Sequence, residues 1–221
     1  MKKAFTMLEL VFVIVVIGIL SAVVIPNTKT NPLREAALQV VSHIRYTQHL
    51  AIVDDKFDSN DNNWFHERWQ LIFGTSASHT DGKIAYSIFS DNESLGGTTP
   101  DGNPNLTNDE IARDPQSSDK FLSGGFAGVL TTADTRANKK MNIGSSYNII
   151  SYSFSGGCNG DVQISFDHLG RPISGPLNGV TRNASYVNIN LIQTTCNIQL
   201  VNSEGNITIA IEPETGYAHI L

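Results

Sequence analysis

The chain has 221 residues, 40% hydrophobic, 8% aromatic and 16% charged, long enough for one domain with its own core plus a further element. Fifteen Lys and Arg against 21 Asp and Glu give a net charge of −6, which excludes a chain-wide basic footprint for nucleic acid or anionic lipid. The average hides an asymmetry, because Leu10 to Leu20 carry no charged or hydrogen-bonding side chain while the remainder is polar and rich in Gly, Asn and Ser.

At the N-terminus, Lys2 and Lys3 precede an apolar stretch from Phe5 to Ile25 that contains one acid, Glu9. As a helix this stretch spans ~31 Å, close to the ~30 Å hydrocarbon core of a bilayer, so a single membrane pass is expected. It exceeds the ~7 to 15 apolar residues of an ordinary secretory signal, and cleavage after Ala22 would put Leu20 where a small residue is wanted. The two lysines, with no comparable basic cluster after Ile25, orient residues 1–4 to the cytoplasm. Glu9 is too far from both lysines for an i, i+3 or i, i+4 pair, so a partner chain is the expected source of its counter-charge.

Lys2-Lys3-Ala4 followed by Phe5-Thr6-Met7-Leu8-Glu9-Leu10 and an apolar run resembles the class III signal of type IV pilins and type II secretion pseudopilins. The resemblance implies that a prepilin peptidase cuts between Ala4 and Phe5, that the new amine of Phe5 is methylated, and that Glu9 pairs with the N-terminal amine of a neighbouring subunit during filament assembly. Gly18 and Pro26 fall where pilins commonly carry helix-loosening residues. Ala4 departs from the glycine usual before the cut. A plain uncleaved signal anchor is the alternative.

Asn31-Pro32 reads as an N-cap followed by proline at the first helical position. Leu33, Ala37, Val40, Val41, Ile44, Gln48 and Ala51 then share one face, with Arg34, Ser42, Arg45 and His49 turned elsewhere, an amphipathic helix. His43 also lies off that stripe. Beyond Asp54, β-branched and aromatic runs predict strands at Trp69–Phe73, Ile84–Ser90, Tyr147–Phe154, Val162–Phe166, Tyr186–Ile192, Asn197–Val201 and Ile207–Ile211. Gly-containing turns such as Ser155-Gly156-Gly157 and Ser203-Glu204-Gly205-Asn206 separate them. Phe166-Asp167-His168-Leu169-Gly170-Arg171-Pro172, the C-terminal run Ile207 to Tyr217 with its Thr215-Gly216 turn, and Arg45 shortly before Ala51 resemble H-type minor pseudopilins; residues 91–146 resemble nothing nameable.

Cys158 and Cys196 are the only cysteines, and an even pair beyond an export segment favours a disulfide, two independent thiols being the alternative. None of the six histidines forms HExxH, and no GxSxG, Walker or dinucleotide glycine pattern is present. Calcium is the one ion suggested, by Asp58 to Asn62 and Asp101 to Asp109, whose alternating oxygen-bearing side chains suit a hard cation. Both lack the Gly and Glu of an EF-hand, and solvated loops are the simpler reading. Glu204-Gly205-Asn206-Ile207-Thr208 fits an acid-extended glycosylation sequon.

The expected fold is α+β and pilin-like: a long N-terminal helix, membrane-spanning in its first half and amphipathic in its second, packed on an antiparallel β-sheet head. The expected divisions are residues 1–4 as leader, 5–26 as membrane and assembly helix, 27–53 as the amphipathic helix of the head, and 54–221 as a periplasmic head. The expected role is non-enzymatic and without cofactor: a minor pilin or pseudopilin in a filament of a type II secretion, DNA-uptake or type IV pilus system. Its expected partners are other pilin-type subunits, a prepilin peptidase and the inner membrane, with nucleic acid not a direct ligand. A membrane-anchored periplasmic binding module is the alternative.

Overall fold

The structure, a computed structural model, describes residues 6–24, 31–61, 64–92, 100–106, 109–125, 130–177 and 190–221, and for residues 22–24 the backbone only. The chain divides into two compact units, Met1–Asn31 and Pro32–Leu221.

The first unit contains helix α1, Met7–Val24. Thr6 starts it: its side-chain oxygen accepts from the Glu9 amide at 3.3 Å and its carbonyl from the Leu10 amide at 3.2 Å. Thr6 and Glu9 thus have the spacing of a capping box, with an acid in the first turn where the helix dipole favours it. The expectation of one long helix with a membrane-spanning first half is corrected here. Within the described residues α1 has 18 residues, ~27 Å of rise, and beyond Glu9 its uncharged part covers ~22 Å of a ~30 Å hydrocarbon core. Among the described residues no helix is long and apolar enough to cross a membrane, so neither a transmembrane segment nor a single-pass inner-membrane location with a periplasmic head is supported.

The second unit opens with helix α2, Pro32–Val53, which begins on its proline because Pro has no amide proton to leave unpaired in the first turn. Leu33, Ala36, Ala37, Val40, Val41, Ile44, Thr47 and Ala51 are its buried residues. The 3.6-residue period places them on one stripe, and Thr47 removes its polarity by donating to the His43 carbonyl at 2.8 Å.

The fold is mostly β. Strands β1 (Trp69–Thr75), β2 (Ile84–Ser90), β6 (Gln163–Phe166) and β7 (Pro172–Ser174) form one sheet in the order β2-β1-β6-β7. A second sheet has the order β10-β9-β8-β5, with β5 Ser151–Gly156, β8 Cys196–Asn202, β9 Gly205–Ile211 and β10 Ala218–Ile220. β3 (Arg113–Asp114) and β4 (Ser117–Phe121) pair separately, and α3 is a single turn at Ile143–Ser146. All named pairings are antiparallel. In place of one sheet on one long helix there are two four-stranded sheets, with α2 against strands of both.

Phe73 ties the sheets together. From β1 it stacks on Tyr86 of β2 at 5.2 Å between centroids and meets Tyr152 and Phe154 of β5 at 5.3 and 5.6 Å. One core runs from the α2 stripe through Leu71, Phe73, Tyr86 and Ile88 to Ile198, Leu200, Ile209 and Ile211. Every β2 residue is buried because its edge is covered: Ser87 and Phe89 bridge Ser123 and Ile111, and the Ser87 and Ser123 hydroxyls share a 2.8 Å hydrogen bond. Of the expected strand Tyr186–Ile192, residues 186–189 lie outside the described residues; Leu191 bridges Ile173.

Candidate functional site

α1 has the most unusual surface of the molecule. Its large apolar side chains are solvent-exposed in every direction around the helix, from Met7 at 86% and Leu8 at 83% to Ile19 at 61% and Leu20 at 60%. A helix apolar all round normally lies in a core, and contiguous apolar surface above a few hundred Å² marks an interaction site. Glu9 is the one charged side chain of α1, exposed and without an ion-pair partner among the described residues. Ala4 and Phe5, the expected cleavage and methylation positions, lie outside the described residues.

On the head, a polar chain runs beneath a groove beside α2. Gln39 Nε2 donates to the buried Tyr86 hydroxyl at 2.8 Å and to the Lys140 carbonyl at 3.0 Å, and Tyr147 donates its hydroxyl to Gln39 Oε1 at 2.8 Å. The Tyr86 proton is then left for His43 Nδ1, 2.7 Å away, which holds His43 neutral with Nδ1 as acceptor. Burial lowers the His43 pKa to about 4 against a smaller opposing pull from Asp114, and raises that of Tyr86 far above the tyrosine range.

Above this chain lies a cavity of about 300 Å³ lined by Gln39, His43, Tyr46, Asp114, Pro115 and Lys140 among others. It shares Asp114, Gln116, Asn138 and Lys140 with a second of about 440 Å³ that adds Lys120 and Lys139. Asp114 is satisfied locally, accepting from the Gln116 amide at 2.8 Å and from Asn138 Nδ2 at 2.9 Å. Asn138 Oδ1 in turn caps the 3-10 turn Lys139–Met141 through the Lys140 amide. Lys120 is committed to the Thr135 carbonyl and to Asp119. Lys139 and Lys140 are exposed and pair with no described carboxylate.

At the other end of α2, Arg45 and Gln48 hold the C-terminal hairpin. Arg45 donates from Nε and Nη2 to the Ala218 carbonyl at 3.1 and 2.7 Å and lies over the Tyr217 ring; Gln48 Nε2 reaches the Gly170 and Thr215 carbonyls, each at 2.7 Å. Gly216 has a φ of +61°, and a Cβ there would come within 2.5 Å of both Gln48 Nε2 and the Gly170 carbonyl. The expected helix face placed Gln48 among apolar residues, and this double hydrogen bond is why a polar group occupies it.

Cys158 and Cys196 form a disulfide between the turn after β5 and the first residue of β8, a covalent link suited to oxidising conditions. The two calcium-suggestive stretches hold backbone in place: Asp58 accepts from the Asn60 amide and Asp101 from the Asn103 amide, each at 2.8 Å. Among the described residues no group of three or more His, Cys, Asp or Glu is placed to hold a metal ion. Inside the 91–146 region, burial pushes Asp91 up to about 6, although it accepts from the Gly102 amide at 2.6 Å, and Glu110 accepts from the Asn105 amide at 2.7 Å. The polar chain through Gln39, His43 and Tyr86 escapes sequence reasoning, which sets His43 on a solvated face; its partner lies 43 positions away, and no local spacing announces it. Comparison with family models, curated proteins and solved structures finds no match for this chain.

Proposed function

We propose that the protein is a non-enzymatic filament subunit of the minor pilin or pseudopilin type, serving a type II secretion, DNA-uptake or type IV pilus system. The observation that carries this reading is α1, a helix with apolar side chains exposed all around it and one charged group, Glu9, in its first turn. A helix that buries one stripe needs one partner; a helix apolar on every side needs a ring of them. Packing among the α1 helices of neighbouring subunits removes this surface from water. Glu9 then sets the register, because an acid surrounded by apolar helices is tolerated only opposite a cation, and the resemblance names that cation as a neighbour's Phe5 amine after cleavage behind Ala4.

The test uses full-length protein with a single cysteine introduced in α1 (Ile14→Cys), assayed by cross-linking between copies, alongside mass spectrometry of the N-terminus. The wild type should give a ladder of cross-linked species and a mature chain beginning at methylated Phe5. Glu9→Ala should lose the ladder while Glu9→Asp keeps part of it. A ladder of equal yield in Glu9→Ala, or a mature chain retaining Met1, overturns the reading.

A further inference from the structure

We propose that the groove beside α2 is a docking site for residues 54–61 of a second copy of this chain, with Lys139 and Lys140 as the recognising cations. The inference takes the filament reading as its setting and adds a contact made by the heads.

The groove is positive where it is open. Lys120, Lys139 and Lys140 line it against one carboxylate, Asp114, whose pull is felt at His43 and Tyr46; Lys120 is engaged with Thr135 and Asp119, which leaves Lys139 and Lys140 for a partner. Lys139 and Lys140 stand exposed on a turn fixed to α2 by the Gln39 bond to the Lys140 carbonyl. The backbone that carries the two cations is therefore held in place before anything binds, which removes the backbone part of the entropy cost of a contact.

The segment after α2 has the opposite character. It carries Asp54, Asp55, Asp58 and Asp61 against one lysine, Lys56. Lys56 is taken by Asp54 at 2.7 Å, so Asp55 and Asp58 project exposed carboxylates. Those same carboxylates brace the loop, Asp55 accepting from the Phe57 amide at 3.1 Å and Asp58 from the Asn60 amide at 2.8 Å. Between them Phe57 is 60% exposed, its ring edge-on to Trp64 at 5.2 Å. An acidic knob with an aromatic tip suits a basic groove whose walls include Tyr46, Pro115 and Ala137.

Within one chain the knob follows Val53 at the end of α2, whereas α2 lines the groove through Gln39, Ser42, His43 and Tyr46, ~10 to 21 Å back along its rise. Joining a knob to the next copy's groove is a heterologous contact, and a heterologous contact that does not close on itself propagates as an open filament. Two copies offset along their α2 axes satisfy it, and the pair leaves one groove and one knob unused for the next.

The experiment mixes full-length copies of natural and 15N isotopic composition in detergent, joins amines to carboxylates with a zero-length carbodiimide, and sequences cross-linked peptides by mass spectrometry. Mixed-isotope peptides linking Lys139 or Lys140 to Asp55 or Asp58 are expected. They should fall at least tenfold in K139E/K140E, whose groove then repels the carboxylates of the knob. Charge reversal on both sides restores the contact: when natural-isotope D55K/D58K copies are mixed with 15N K139E/K140E copies, mixed-isotope links between the two substituted segments should reappear. Absence of the mixed link in the wild type, its presence only between peptides of one isotope, its survival in K139E/K140E, or failure of the doubly reversed mixture to regain it overturns the proposal. The α1 cross-link assay separates the two readings: a ladder without the groove link removes the docking site and leaves the filament, whereas the groove link without a ladder removes the filament and leaves the docking site.

Discussion

His43 and Asp91 are buried titratable groups that pull stability in opposite directions with pH. The His43 pKa falls from 6.5 to about 4 in the fold, so its unfolded form binds a proton first as pH drops. Its contribution is complete above pH ~6.5 and is lost on the way down to pH ~4, on the order of 2 to 3 kcal/mol. Asp91 is raised from 3.8 to about 6, so its contribution is greatest in acid and is lost as pH rises through ~6. Urea unfolding between pH 4 and 7 should therefore show a shallow dependence in the wild type. Against it, His43→Gln should be relatively more stable toward pH 4 than at pH 7; an unchanged slope would exclude His43 as the acid-sensitive group. At Gly216 strain decides: φ is +61° and the added Cβ meets backbone at 2.5 Å, so Gly216→Ala should cost ~2 kcal/mol or more, read as a lower urea midpoint at constant m-value.

At the scale of elements, α2 and its fastening to the C-terminal hairpin govern local stability. Arg45→Ala removes two hydrogen bonds to Ala218 and a cation over Tyr217, worth on the order of 1 kcal/mol at a half-exposed site. Hydrogen exchange at the β10 amides should accelerate while exchange in β1 stays as it was. The Cys158–Cys196 bond, with a sequence separation of 38, stabilises by ~4 kcal/mol on the chain-entropy view; Cys158→Ala/Cys196→Ala should lower the unfolding free energy by about that amount, and an equal midpoint with and without reductant in the wild type would contradict it.

Elements with a strong period are readable from residues alone. β2 occupies the expected Ile84–Ser90, and β1, β6, β8 and β9 fall within a residue or two of expectation. The expected strand at Tyr147 begins only at Ser151, because Tyr147 ends the α3 turn and donates to Gln39 across the groove. β3, β4 and β7 have no sequence signal of their own, being short or polar segments, whereas β10 is signalled by the Thr215-Gly216 turn that joins it to β9. The expected long N-terminal helix, kinked or restarted before Pro32, is described as two helices, Met7–Val24 and Pro32–Val53, and apolar character alone does not report how much of the first can span a bilayer. In the candidate site, the oddity of Glu9 is legible, whereas the Thr-x-x-Glu spacing that makes Thr6 its capping partner goes unread because the apolar run around it obscures it. The groove joins α2, the β3–β4 turn and residues 137–140, a juxtaposition that only the folded chain brings about.

For the molecule as a whole, the division into Met1–Asn31 and Pro32–Leu221 lets the assembly role proposed for α1 be tested apart from the stability of the second unit. Ile14→Asp and Ile17→Asp should abolish assembly in sedimentation while leaving the thermal midpoint of the head within a degree or two; a large fall in that midpoint would mean that α1 contributes to the core. The contacts of α2 carry a further consequence in time. Its apolar stripe leaves the ribosome well before much of what covers it, β8, β9 and β10, which begin ~140 residues later in the chain. Contacts of such high sequence separation form slowly. Until the final hairpin emerges, the nascent chain presents an uncovered helix face, and a holding chaperone has its longest opportunity to act on α2.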